Sequence, residues 1–173
     1  GLQVLRFEFG YMAGRREGRR RPPPKAETLV QECRDAVDAA RAILHPGSHL
    51  VIGGKSMGGR VASMAADALL ADGEIAGLLC LGYPFHPPSK PEQLRTKHLA
   101  DLKTPTLICQ GTRDEFGTRD EVAGYALAKT ITVQWFADGD HSLAPRKRSG
   151  HSAAGHLQTA IDAAAAFVAQ HVG

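Results

Sequence analysis

The chain opens with VLRFEF at residues 4–9, where apolar and polar positions alternate with the period of a strand. Over 25–44 the apolar residues Leu29, Val30, Ala36, Val37, Ala40, Ile43 and Leu44 recur at helical spacing, and His45-Pro46-Gly47 stops that helix. Leu50-Val51-Ile52 is a short, fully apolar run of the kind found in strands buried on both faces. Gly53-Gly54 interrupts it, and an Ala-rich helix is predicted over 57–70. The pattern then repeats. A strand at 75–81 leads into a Pro-rich loop at 83–88 and a short helical piece near 93–102. Strand 106–110, helix 119–128, strand 131–136 and a closing Ala-rich helix over 156–171 complete the chain. Alternation of this type predicts an α/β fold, a mostly parallel sheet with helices on both faces. With no internal repeat and no linker, 1–173 reads as a single domain.

Composition narrows the class. The chain has 173 residues, 43% apolar and 23% charged, enough for a packed core and unlike a disordered segment. No apolar run approaches the roughly 18–20 residues needed to span a bilayer, so no membrane association is expected. The first residues lack the apolar block of a leader peptide. Cys33, Cys80 and Cys109 are widely spaced and form no C-x-x-C pair. That spacing offers neither a disulfide framework nor a zinc site and suits a reducing cytoplasm. The expectation is a cytoplasmic protein without metal or cofactor.

The net charge of +3 is unevenly spread. Arg15, Arg16, Arg19, Arg20, Arg21 and Lys25 crowd one loop, and Arg146, Lys147 and Arg148 another. Phosphates reward such clusters. No aromatic interleaving or recognition motif accompanies them, however, so solvated loops are expected rather than a nucleic-acid surface.

The sharpest chemical signal is Gly54-Lys55-Ser56-Met57-Gly58, a G-x-S-x-G pattern between a predicted strand and a predicted helix. A tight turn there needs glycine where chain segments approach closely, and it projects the Ser56 hydroxyl from the sheet edge. The Met57 N–H and the following helix dipole would face a developing oxyanion. Gly54-Lys55-Ser56 also resembles the end of a phosphate-binding loop. That motif requires glycine where His49 stands and loop backbone where Leu50-Val51-Ile52 forms a strand. The nucleotide reading fails.

A serine nucleophile needs a base and an orienting acid. Asp114 lies just past strand 106–110, and His141 just past strand 131–136. Both therefore emerge at the same strand ends as Ser56, in the order Ser, Asp, His. Asp120 and Asp138 are rival acids with poorer placement, and His86 is the main rival base. Tyr83, Phe85, His86 and Phe116 are candidates for the lining of the site mouth, with core packing as the alternative.

Several segments together resemble one branch of small α/β hydrolases. They are Arg6-Phe7-Glu8-Phe9 with Tyr11-Met12, Gly53 through Arg60 (GGKSMGGR), Gly82 through Pro88 (GYPFHPP), Gly111-Thr112-Arg113-Asp114 and Gly139-Asp140-His141. The branch is dienelactone-hydrolase-like and includes the testis-expressed and NSL-complex-subunit proteins. The resemblance covers nearly the whole chain. It implies an α/β-hydrolase fold without a lid domain, with Ser56, Asp114 and His141 at the catalytic positions. It also implies that a strand, a His-Gly loop and a helix precede the segment at Leu2. The loop would carry the second oxyanion donor. The strand would lie between segment 4–9 and strand 50–52, so its absence leaves these two to pair directly, to swap with another chain or to keep open edges. The function expected is a serine hydrolase cleaving a small-molecule carboxylic ester or thioester through an acyl-enzyme. The alternative is a non-catalytic hydrolase-fold interaction module.

Overall fold

Four parallel strands form the centre of the structure, a computed structural model that describes residues 2–16, 18, 22–45 and 47–172. Strands β1 (Val51–Lys55), β2 (Gly77–Leu81), β3 (Thr106–Gly111) and β4 (Ile131–Phe136) lie in sequence order, each paired in parallel with the next. Gly53 and Gly54, which read as a strand break, remain in the β1 ladder opposite Leu79 and Cys80.

Side-chain alternation along the strands divides the apolar interior in two. Leu78, Cys80 and Ile108 face a cluster built with helices α2 (Val30–Ile43) and α3 (Met57–Ala71). Leu79, Leu81, Leu107 and Cys109 face a smaller cluster containing Ala160 and Phe167 of helix α5 (Ala153–Val172). The Ala-rich stripe of α3, including Ala62, Ala65 and Ala66, lets that helix approach β1 and β2 closely. Helix α2 packs outside it through Cys33, Val37 and Ala40. All three cysteines are free and buried, and burial pushes the Cys33 and Cys109 thiols up to about 11.

Three predicted elements differ from the structure. Residues 4–9 form no strand; a helix, α1 (Gly10–Arg16), follows them instead. Val4 and Phe7 are 81% and 47% exposed, and only Phe9 is buried against the core. Two hollows separate this extended segment from β1. One of about 1220 Å³ lies between Leu5–Phe9 and Gly53–Ser56, and one of about 760 Å³ lies between Leu2–Val4 and Leu50–Gly54. The outer edge of β1 therefore has no partner strand among the described residues. Without a neighbouring ladder, the alternating pattern of 4–9 gives extended backbone but no sheet.

The second difference is the helix predicted over 119–128, which shortens to one turn, α4 (Arg119–Val122). A capping box joins Thr118 and Glu121 at its start, and tight turns in which the Gly124 and Tyr125 N–H groups donate to the Glu121 and Val122 carbonyls end it. The third is the helical piece near 93–102, which is a single tight turn at Lys97–Leu99. Arg19, Arg20 and Arg21 of the basic loop, Pro46, and the side chains of Arg15 and Arg16 lie outside the described residues.

Candidate active site

Ser56 sits between the end of β1 and the first residue of α3 with φ 54 and ψ −118, backbone angles that a side-chain-bearing residue rarely adopts. The close packing around the turn explains its glycines. A Cβ on Gly54 would lie 2.7 Å from the carbonyl carbon of Gly58, and one on Gly59 would lie 2.8 Å from the Gly54 oxygen. Ser56 N–H donates to the Leu81 carbonyl at 3.0 Å, tying the turn to the end of β2. Behind Ser56 runs the 15-residue helix α3, whose first-turn N–H groups, Met57 included, have no partner within the helix.

The structure brings Asp114 and His141 to this serine. His141 Nε2 is 2.8 Å from Ser56 Oγ, and His141 Nδ1 lies 2.8 Å and 3.0 Å from the two Asp114 oxygens. Asp114 is fully buried. Besides the imidazole, its carboxylate accepts from Gln110 Nε2 at 2.9 Å and from the Phe116 N–H at 2.9 Å. Gln110 is itself held by the Tyr83 N–H, which donates to its Oε1 at 2.7 Å. Sequence reasoning passed over Gln110. Its signal was a long polar side chain directly after the apolar run Leu107-Ile108-Cys109 in β3, a strand in which every position is buried.

His141 lies on the loop after β4, and neighbours fix that loop. Lys55 Nζ donates to the His141 carbonyl at 3.3 Å. Gly82 has φ +61, and a Cβ there would stand 2.5 Å from the same carbonyl oxygen. Phe116 packs on the imidazole with ring centroids 4.2 Å apart and lines the larger hollow beside Ser56. The other candidates for that lining lie elsewhere. Tyr83, Phe85 and His86 are 0%, 0% and 2% exposed and do not border the hollow. Their loop turns inward, where Tyr83 and Phe85 rings pack at 4.9 Å in the main core.

The rival acids and the rival base have other occupations. Asp138 receives Arg146 N–H at 2.8 Å and pairs with Arg113 and Arg146. These contacts, the Arg146 hydrogen bond foremost, hold its carboxyl far below the usual range. Asp120 is exposed on α4. His86 Nδ1 is 2.8 Å from the Pro87 carbonyl, and its Nε2 faces Glu121 at 3.5 Å. No group of three or more His, Cys, Asp or Glu side chains is arranged to hold a metal among the described residues. No helix among them is long and apolar enough to cross a membrane.

Comparison with known proteins places the fold. A family described as an alpha/beta hydrolase domain matches residues 1–169. Among solved structures, a serine hydrolase without lid from Xanthomonas campestris superposes with a TM-score of 0.62 at 19% identity, over 87% of this chain and 60% of that one. The esterase domain of a Rhodothermus marinus protein gives 0.57 at 15% identity, over 83% and 69%. A serine hydrolase homologue from Coxiella burnetii gives 0.58 at 13% identity, over 86% and 61%. The chain thus spans about three fifths of the first of these, and likeness at such identities concerns the fold.

Proposed function

This chain belongs to the alpha/beta hydrolase domain family, and on that premise we propose that it is a serine hydrolase acting on a small carboxylic ester or thioester through Ser56, His141 and Asp114. The observation carrying this reading is the unbroken line of hydrogen bonds from Ser56 Oγ through both imidazole nitrogens to a buried carboxylate. The short motifs at 53–60, 82–88 and 111–114 favour the dienelactone-hydrolase-like branch within the family.

In this mechanism His141 Nε2 takes the Ser56 proton as the oxygen attacks the carbonyl carbon. Asp114 accepts from His141 Nδ1–H throughout, which fixes the tautomer and stabilises the imidazolium. Met57 N–H donates to the oxyanion of the tetrahedral intermediate, aided by the positive end of α3. The intermediate collapses as His141 returns the proton to the leaving alcohol or thiol. Water then attacks the acyl-Ser56 ester by the same route, releasing the acid and restoring the hydroxyl.

A fluorophosphonate probe tests the reading. Ser56 should gain the phosphonyl adduct, Ser56→Ala should gain none, and His141→Ala should react far more slowly. No adduct on Ser56 would sink the proposal and leave the interaction-module reading. Parallel rates on 4-nitrophenyl esters and acyl thioesters separate the two substrate types.

A further inference from the structure

The acyl-transfer steps give no task to Gln110, although its amide touches the acid directly. Gln110 is fully buried near the end of β3 and meets four polar groups. Its Oε1 accepts from the Tyr83 N–H at 2.7 Å. Its Nε2 lies 2.9 Å from Asp114 Oδ2 and 3.2 Å from both the Tyr83 and the Gly117 carbonyl oxygens. A backbone N–H only donates and a carbonyl only accepts, so these partners fix the amide with its N–H end toward Asp114. An apolar residue here, like the neighbouring Leu107, Ile108 and Cys109, would leave the Tyr83 N–H and a carboxylate lone pair unpaired in a dry interior. A glutamate would set acceptor against acceptor.

Little else orients the acid. Its other hydrogen-bond donors among the described residues are the Phe116 N–H, at 2.9 Å from Oδ1, and His141 itself. In the proposed mechanism His141 gains and returns a proton at each step, whereas the Gln110 amide keeps its own. The acceptor end of that amide is tied to Tyr83, on the loop after β2, and β2 is the neighbour of β3 in the sheet. Loops from two adjacent strands thus grip the carboxylate through one side chain.

We propose that Gln110 is a positioning residue: its N–H holds the Asp114 carboxylate in the orientation that accepts from His141 Nδ1. Both the length of the side chain and its polarity, donor toward Asp114 and acceptor toward Tyr83, are required. The catalytic consequence rests on the serine-hydrolase reading, whereas the Gln110–Asp114 contact is testable without it.

The test follows turnover of 4-nitrophenyl acetate by wild type, Gln110→Leu and Gln110→Glu from pH 6 to pH 9. Gln110→Leu should lose kcat and kcat/KM together, by about 10- to 10²-fold. Gln110→Glu keeps the length of the side chain but restores the donor only by sharing a proton with Asp114. Its kcat relative to wild type should exceed that of Gln110→Leu at pH 6. It should then fall about tenfold as pH rises and the two carboxylates repel. His141, the titratable side chain hydrogen-bonded to Asp114, is common to all three proteins, and burial pushes the Tyr83 hydroxyl up, out of this pH range. A ratio that stays flat with pH, or wild-type kcat in Gln110→Leu, overturns the positioning role. If wild type turns over no ester and Ser56 takes no fluorophosphonate, the hydrolase reading fails instead, and Tm reads the contact. Asp114→Asn should then raise the Tm of Gln110→Glu at pH 8 more than that of wild type, because the exchanged pair again sets donor against acceptor. The lack of any such rescue overturns the contact.

Discussion

Two serine–histidine side-chain pairs occur among the described residues at the same 2.8 Å separation, one at the strand ends and one inside. Ser56 faces a hollow, and the histidine it touches is backed by a buried carboxylate. Ser63 lies two turns further along α3, is 2% exposed and meets His98 Nε2 and Tyr83 Oη in the interior. Its hydroxyl proton is already directed to the Arg60 carbonyl at 2.7 Å, so His98 is not placed to receive it. No carboxylate is hydrogen-bonded to His98 among the described residues. Burial and the Arg60 charge lower the His98 pKa, which keeps that imidazole neutral. On the proposed reading, proximity of hydroxyl and imidazole does not by itself make a nucleophile. The proton's direction, the group behind the imidazole and access for substrate separate a reactive pair from a packing pair.

Substitution of the two serines should divide them most sharply. Ser56→Ala should lower kcat by about 10⁴- to 10⁶-fold, whereas Ser63→Ala should retain turnover in proportion to folded protein. The reverse result in an ester assay would exchange the roles assigned here. Next in size is Gly82→Ala, whose Cβ would press on the His141 carbonyl at 2.5 Å. Relieving that contact pushes the His141 loop away, and a misplacement of the imidazole on the order of 1 Å should cost about 10²-fold in kcat; normal turnover would show that the loop yields.

The interior pair should report in stability. Ser63→Ala leaves the Arg60 carbonyl and the Tyr83 hydroxyl each short of a partner and should destabilise the fold by about 1–3 kcal/mol, measured by urea denaturation. The smallest effect concerns pH. Because the folded-state pKa of His98 is depressed, its contribution is complete above the ordinary histidine value and is lost as pH falls toward the depressed one. Tm should therefore decline between pH 7 and pH 5, and less steeply in His98→Gln. Parallel curves for the two proteins would remove His98 as the cause.

Much of this was legible beforehand because it is local. The strand–helix alternation lies in hydrophobic periodicity, and the Ser56 turn in a five-residue motif with glycines where backbones meet. Asp114 and His141 could be selected because each follows a strand in a parallel sheet, and all such ends share one side. Gln110 escaped notice because one buried polar residue in a strand does not disclose its partner. For Tyr83, Phe85 and His86 the sequence leaves site mouth and core packing both open, because their loop follows a strand and its inward turn depends on packing against Tyr125 and the Gly117 turn.

By itself the sequence determined the four central strands, the long helices α2, α3 and α5, their order and the residue types available at the strand ends, since these follow from periodicity and short-range backbone sterics. Only the tertiary structure decided that an imidazole 85 residues away reaches Ser56, that segment 4–9 stands apart from β1, and that the Gln110 amide links Tyr83 to Asp114. Each of those depends on strand register and on which surfaces find a neighbour. Both are properties of the whole chain's packing, which no local pattern contains.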